Sequence, residues 1–162
     1  MRYRDYEEFI GALNDRGARY LIVGAHAVAY HARPRATKDF DILIEPTPAN
    51  AKKVLAALGT FLGADLGYTV DDLIDPESFI QLGVAPVRID LMSSLKGCSD
   101  FAAVWRSRVE ASFGEIPAHY LGLDDLIRAK LAADRRQDRA DIRVLRRAQS
   151  QQRPASPRKR GL

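Results

Sequence analysis

The chain has 162 residues, 46% hydrophobic and 28% charged, with a formal net charge of +4, which is enough for one domain with a sizeable core. No apolar run approaches the roughly 20 residues that span a bilayer, "MRYRDYEEFI" lacks the apolar centre of a signal peptide, and the single cysteine, Cys98, excludes an internal disulfide. A cytoplasmic protein is expected. The positive charge belongs to the end of the chain, where "QQRPASPRKRGL" holds Arg153, Arg158, Lys159 and Arg160 and no acid. Without those four, 21 basic residues face 21 acidic ones. The expected division is therefore a domain over residues 1–148 and a basic tail over 149–162, too polar to order itself.

In chain order, "DYEEFIGALNDRG" predicts an amphipathic helix. Asp5 and Glu8 resemble a capping box, Tyr6, Phe9, Ile10 and Leu13 share a face, and Gly17 ends it. "RYLIVG" predicts a short buried strand, and "AHAVAYHA" a helix that follows Gly24 with almost no loop and closes before Pro34. "DFDILIE" is a second strand. "TPANAKKVLAALG" is a helix with Thr47 as N-cap and Pro48 in its first turn. An irregular, partly acidic segment follows, and then "FIQLGVAPVRIDLM" predicts a hairpin about "GVAP". A helix near "DFAAVWRSRV", a short strand at "EIPAHYLG" and two helices, "DDLIRAKLAADRR" and "DRADIRVLRRAQ", complete the body. The predicted fold class is α/β: a mixed sheet of about four to five strands flanked by helices, closed by a C-terminal helical hairpin.

The chemistry concentrates in two strands. Alternate strand residues point to opposite faces, so Asp39 and Asp41 share one face while Phe40, Ile42 and Ile44 share the other. The strand around Asp90 repeats this, with Val87, Ile89 and Leu91 behind it. If these strands are neighbours, three carboxylates meet on one open face. Such a cluster repels itself unless a cation fills the gap. Oxygen-only donors select hard ions such as Mg²⁺ or Mn²⁺. Gly24, at the junction of the first strand with its helix, offers exposed N–H groups to a phosphate. The two features together suit a metal-bound nucleoside triphosphate such as ATP.

"VGAHAVAYHARPRATKDFDILI" followed by "VRIDLM" resembles the DNA polymerase beta-like nucleotidyltransferase superfamily, whose pattern is G-[GS], a helix, D-x-D and a third aspartate on a later strand. With "IQLGVAPVRIDL" and "LDDLIRAKLAADRRQDRAD" added, the chain is similar to small bacterial nucleotidyltransferase-like proteins grouped with AbiEii-type abortive-infection toxins. The resemblance covers residues 3–148. It implies that Gly24 and Ala25 hold the triphosphate, that Asp39, Asp41 and Asp90 bind the metal, and that Asp90 helps deprotonate an acceptor hydroxyl. It also implies phosphate or substrate contacts for Arg35, Lys38, Lys130, Arg136 and Asp138. Ala25 and Ala32 depart from the pattern, the first replacing a Gly or Ser and the second a Gly.

The implied activity is transfer of an NMP from an NTP to an acceptor hydroxyl. Three forms of it stay open. One is a toxin-like enzyme acting on RNA such as tRNA, which the basic helices and tail favour. Another is an antibiotic-type enzyme with a small cationic acceptor, hinted at by Asp71, Asp72, Asp75 and Glu77. The third is a catalytically silent NTP-binding module serving a partner. A homodimer or an antitoxin subunit is an expected partner; a membrane is not.

Plainer roles compete for the same residues. Asp39, Asp41 and Asp90 can be solvated strand-end residues paired with Arg35, Lys38 and Arg88. His26 and His31 fit a core or a surface better than a metal, and Trp105 with Phe101 and Val104 fits a core. The basic cluster of the last helices, Arg128, Lys130, Arg135, Arg136, Arg139, Arg143, Arg146 and Arg147, can be a solvated face interleaved with Asp134, Asp138 and Asp141 in place of a polynucleotide groove.

Overall fold

The computed structural model describes residues 3–34, 37, 39–84 and 87–152. Its elements are α1 (Tyr3–Asp15), β1 (Tyr20–Val23), α2 (Gly24–His31), β2 (Asp39–Ile44), α3 (Pro48–Leu62), α4 (Val70–Ile74), β3 (Phe79–Val84), β4 (Val87–Met92), α5 (Phe101–Arg106), β5 (Val109–Phe113), β6 (Ile116–Tyr120), α6 (Leu123–Ala133) and α7 (Arg136–Gln152). The strands form one mixed sheet in the order β3-β4-β2-β1-β6-β5. β1 runs antiparallel to β2 and parallel to β6, β2 runs parallel to β4, and the β3/β4 and β5/β6 pairs are antiparallel hairpins. Helices flank the sheet, and α6 and α7 form the C-terminal helical hairpin. α7 runs on to Gln152, past the boundary expected at residue 148.

The sheet has six strands, against the four to five expected. The additional strand is β5, in a stretch left unassigned from sequence between the helix at "DFAAVWRSRV" and the strand at "EIPAHYLG". α5 stops at Arg106, and from Val109 the chain alternates: Glu110 and Ser112 are exposed, while Val109, Ala111 and Phe113 turn inward. Gly114 then makes the turn into β6 with φ of +59°, a conformation that costs glycine little. The "irregular" acidic segment also holds a short helix, α4. Thr69 and Asp72 close a capping box on it, with Asp72 accepting from the Thr69 N–H at 2.8 Å. At the N-terminus, α1 begins at Tyr3, so Asp5 lies inside its first turn and not at the cap.

Elsewhere local chemistry gives the expected elements. Thr47 accepts the Asn50 N–H at 3.2 Å, Pro48 opens α3, and Gly63 ends it with φ of +68°. α1 buries Tyr6, Phe9, Ile10 and Leu13, and all four residues of β1 are buried. Behind β2 lies an aromatic cluster. Tyr6 stacks on Phe40 at 4.5 Å, Phe113 lies 4.9 Å from Phe40, and the His26 ring meets Phe40 edge-on at 4.9 Å. Because Phe40 is fully buried on one face, its neighbours Asp39 and Asp41 are held on the other. Among the described residues no helix is long and apolar enough to cross a membrane.

Burial lowers the His26 pKa from 6.5 to about 4. Between those values the unfolded chain takes up a proton that the folded protein refuses, so stability falls as pH drops through this window. Urea denaturation should show a loss between pH 7 and pH 5 that is smaller in His26→Phe than in the wild type by about 2 kcal/mol. Equal losses in the two proteins would remove His26 as the source.

Candidate active site

The parallel pairing of β2 with β4 sets Asp41 directly beside Asp90 and Asp39 beside Arg88. On its other side Asp41 stands opposite Val23, the last residue of β1. Asp39, Asp41 and Asp90 thus come to one level of the sheet, where β1 ends and α2 begins. Together with Gly24 they line a cavity of about 350 Å³.

Concentrated negative charge shapes this cavity. The Asp41 carboxyl is pushed up to about 7 by burial first, then by the charges of Asp90 and Asp39 and a hydrogen bond with Asp90. Asp90, 4% exposed, is also raised, by burial and Asp39, against the opposing pull of Arg88. The Asp41–Asp90 pair therefore holds on to a proton near neutral pH. Arg88 supplies the compensation. Its Nη2 lies 2.8 Å from Asp39 Oδ1, and its Nε lies 3.4 Å from Asp90 Oδ1. The second contact misses hydrogen-bond geometry, and both Arg88 Nε and Asp90 Oδ1 are buried without a hydrogen bond. Among the described residues, Arg88 is a basic partner that the sequence offered these aspartates and that the structure pairs with them. Arg35 and Lys38 lie outside the described residues.

Gly24 has a second reason to be glycine. Its φ is +65°, and a Cβ there would sit 2.1 Å from Asp41 Oδ2. The carboxylate occupies the space that any side chain would need. α2 starts at this glycine with no side-chain cap from Val23, so its first N–H groups rely on other partners. Ala25 is not among the residues that line the cavity.

The opposite wall comes from the helical hairpin. Lys130 Nζ lies 3.2 Å from Asp138 Oδ1 and 3.1 Å from Asp141 Oδ2, with all three side chains buried. Arg135 adds its Nε at 2.9 Å and its backbone N–H at 3.0 Å to Asp138 Oδ2. Burial alone would raise the Asp138 carboxyl, but hydrogen bonds from Arg135 and Lys130 outweigh it and leave the group below its usual range. Lys130, Arg135 and Asp138 all line the cavity, whereas Arg136 is exposed and does not. Sequence matching placed Arg136 here; its neighbour Arg135 has that position.

Phe79 is an aromatic cavity residue that sequence reasoning passed over. It is 52% exposed on the edge strand β3, where it gives the opening an aromatic face. An outward Phe at the first residue of a predicted strand was the available signal. The acidic run takes no part in the cavity. Asp72 caps α4, and Asp75 Oδ1 accepts the Glu77 N–H at 2.9 Å. His31 Nε2 lies 2.7 Å from the Leu121 carbonyl, and Trp105 packs on Phe101 and under Arg108. Those residues are structural, as the plainer reading had them.

Three carboxylates without nitrogen or sulfur donors, one with a buried oxygen lacking a hydrogen bond, fit a hard divalent cation in kind. In their present arrangement, with Arg88 set between Asp39 and Asp90, the described residues contain no group of three or more His, Cys, Asp or Glu side chains placed to hold a metal ion.

Residues 3–147 match the family described as "Nucleotidyltransferase of unknown function (DUF6036)", and the chain belongs to that family. A comparison with curated proteins found no match.

Lys130 stands between two buried carboxylates, so its removal withdraws a cation from both Asp138 and Asp141. Lys130→Met should cost about 3 kcal/mol in chemical denaturation, and a second change, Asp141→Asn, should restore part of it. An unchanged midpoint in the single variant would show that the pair contributes nothing.

Proposed function

We propose, with membership of that family as the premise, that the cavity is the active site of a metal-dependent nucleotidyltransferase, which moves an NMP from a nucleoside triphosphate to an acceptor hydroxyl. The observation that carries this reading is the convergence of Asp39, Asp41, Asp90 and Gly24 on one cavity. The three aspartates would hold Mg²⁺ or Mn²⁺ once Arg88 turns away from Asp39 and Asp90. When bound, such an ion neutralises phosphate charge and makes the α-phosphorus a better electrophile.

The chain's own groups divide the remaining work. The uncapped N–H groups at the start of α2 face the triphosphate. Among the described residues, Arg88 and Arg135 are guanidinium groups that line the cavity, able to take up phosphate oxygens in paired hydrogen bonds. Phe79 provides a stacking face for the base. Asp90 accepts the proton of the acceptor hydroxyl, whose oxygen forms the new bond to the α-phosphorus. The bond from that phosphorus to the bridging oxygen breaks, and pyrophosphate leaves. Most of the acceleration would come from positioning and charge neutralisation.

The narrower kinship with AbiEii-type toxins, and with it a toxin role and an antitoxin partner, belongs to this proposal and rests on the motifs quoted from the sequence. A small cationic acceptor has lost its one hint, since Asp71, Asp72, Asp75 and Glu77 lie away from the cavity.

Incubation with α-labelled NTPs and Mg²⁺ in the presence of RNA and small-molecule acceptors tests the reading. Label transfer should be abolished in Asp39→Ala/Asp41→Ala, with the circular dichroism spectrum unchanged, and Mn²⁺ binding by electron paramagnetic resonance should be lost with it. Phe79→Ala should raise KM for the NTP about tenfold, the loss of one stacked base, with little change in kcat. Transfer that survives the double substitution would refute the assignment.

A further inference from the structure

The charges of α7 are sorted. Its two acids, Asp138 and Asp141, are buried against Lys130, while its five arginines, Arg136, Arg139, Arg143, Arg146 and Arg147, are all exposed. A solvated face of alternating charge would leave acids and bases side by side. Here only Arg139 meets an acid, Asp134 at 3.3 Å, and the other four arginines form no ion pair among the described residues. At 100° per residue these five positions fall within about one quarter to one third of the helix circumference. They extend over about 16 Å of helix, from the eleven residue steps at 1.5 Å each.

The stripe is also connected to the cavity. Asp138 and Arg135 line the cavity wall, and Arg136, the next residue, begins the stripe. A ligand following it from the cavity would meet a guanidinium at each turn of the helix. A small acceptor has no use for such a track, whereas a strand with one phosphate per nucleotide does. Arginine is the side chain best suited to bind phosphates in succession.

We propose that the outward face of α7 binds the sugar–phosphate backbone of a polynucleotide strand and delivers a hydroxyl of that strand to the cavity. This names the acceptor class of the transfer proposed above and rests on that reading. The contacts are to backbone, so binding depends on salt and little on sequence.

Fluorescence anisotropy with the full chain and a labelled mixed-sequence single strand tests it, with RNA and DNA of the same sequence as parallel arms. Arg143→Gln/Arg146→Gln/Arg147→Gln lies away from the cavity and from every buried contact. It should weaken binding about tenfold or more and reduce the magnitude of the log K versus log salt slope by about 2, at about 0.7 per phosphate for single strands. Asp41→Asn should bind the strand as the wild type does while losing transfer. A triple variant that binds unchanged, or a loss seen only when Arg153, Arg158, Lys159 and Arg160 are replaced, overturns the proposal. So does a wild type that binds neither strand. Binding that follows the stripe while label enters a small acceptor and not the strand overturns the delivery of the strand to the cavity, and label entering no acceptor at all overturns the cavity reading.

Discussion

The pairing of β2 with β4 governs the rest of the molecule's chemistry. One parallel register puts two aspartates side by side and a third within reach, where mutual repulsion and burial both oppose ionisation. The opposing force is apolar. Phe40, Ile42, Ile89 and Leu91 are all essentially excluded from water on the far face, each worth about 1.5–3 kcal/mol when fully buried. A shift of one residue would turn every one of them outward. The carboxylates are therefore held together by what lies behind them, and the charge problem is left to be solved in front.

That problem is met locally. Arg88 stands two residues before Asp90 on the same strand and so on the same face, and it reaches Asp39 across the pair. Burial and mutual repulsion leave the Asp41–Asp90 pair holding a proton near neutral pH. On the opposite wall the hairpin satisfies itself, Lys130 with Asp138 and Asp141, and Arg135 with Asp138. The sheet wall sets one arginine against three carboxylates, whereas the hairpin wall is internally compensated, two cations against two acids. This lets α7 turn its acids inward and leave its arginines outside.

Much of this arrangement was legible in the sequence. The period-two pattern of "DFDILI" and "VRIDLM" gave both the buried face and the acidic face, and Thr47–Pro48 gave the start of α3. The sheet was undercounted because β5 is short and half-polar. "RSRVEASF" carries its strand signal in Val109, Ala111 and Phe113 only, and the preceding helix has no Pro or Gly to mark its end. Asp39, Asp41, Asp90 and Gly24 were expected to converge and do line one cavity, but individual roles could not be assigned. Arg135 and Arg136 are adjacent, and only the start of α7 decides which one turns toward the cavity. Arg88 was named as an alternative partner, yet its bridging of two aspartates depends on a register that local sequence does not encode. The inward turn of Asp138 and Asp141 likewise needs Lys130 from another helix.

Gly24 adds a tolerance to this picture. Its main chain and the Asp41 carboxylate approach so closely that the atom a methyl group would add falls 2.1 Å from an oxygen. A carbon–carbon bond is about 1.5 Å long, so the clearance between strand end and acid is finer than the smallest increment a side chain can make. At residue 24 enlarging the side chain by any amount forces a carboxylate to move, with no residue type intermediate between fitting and clashing.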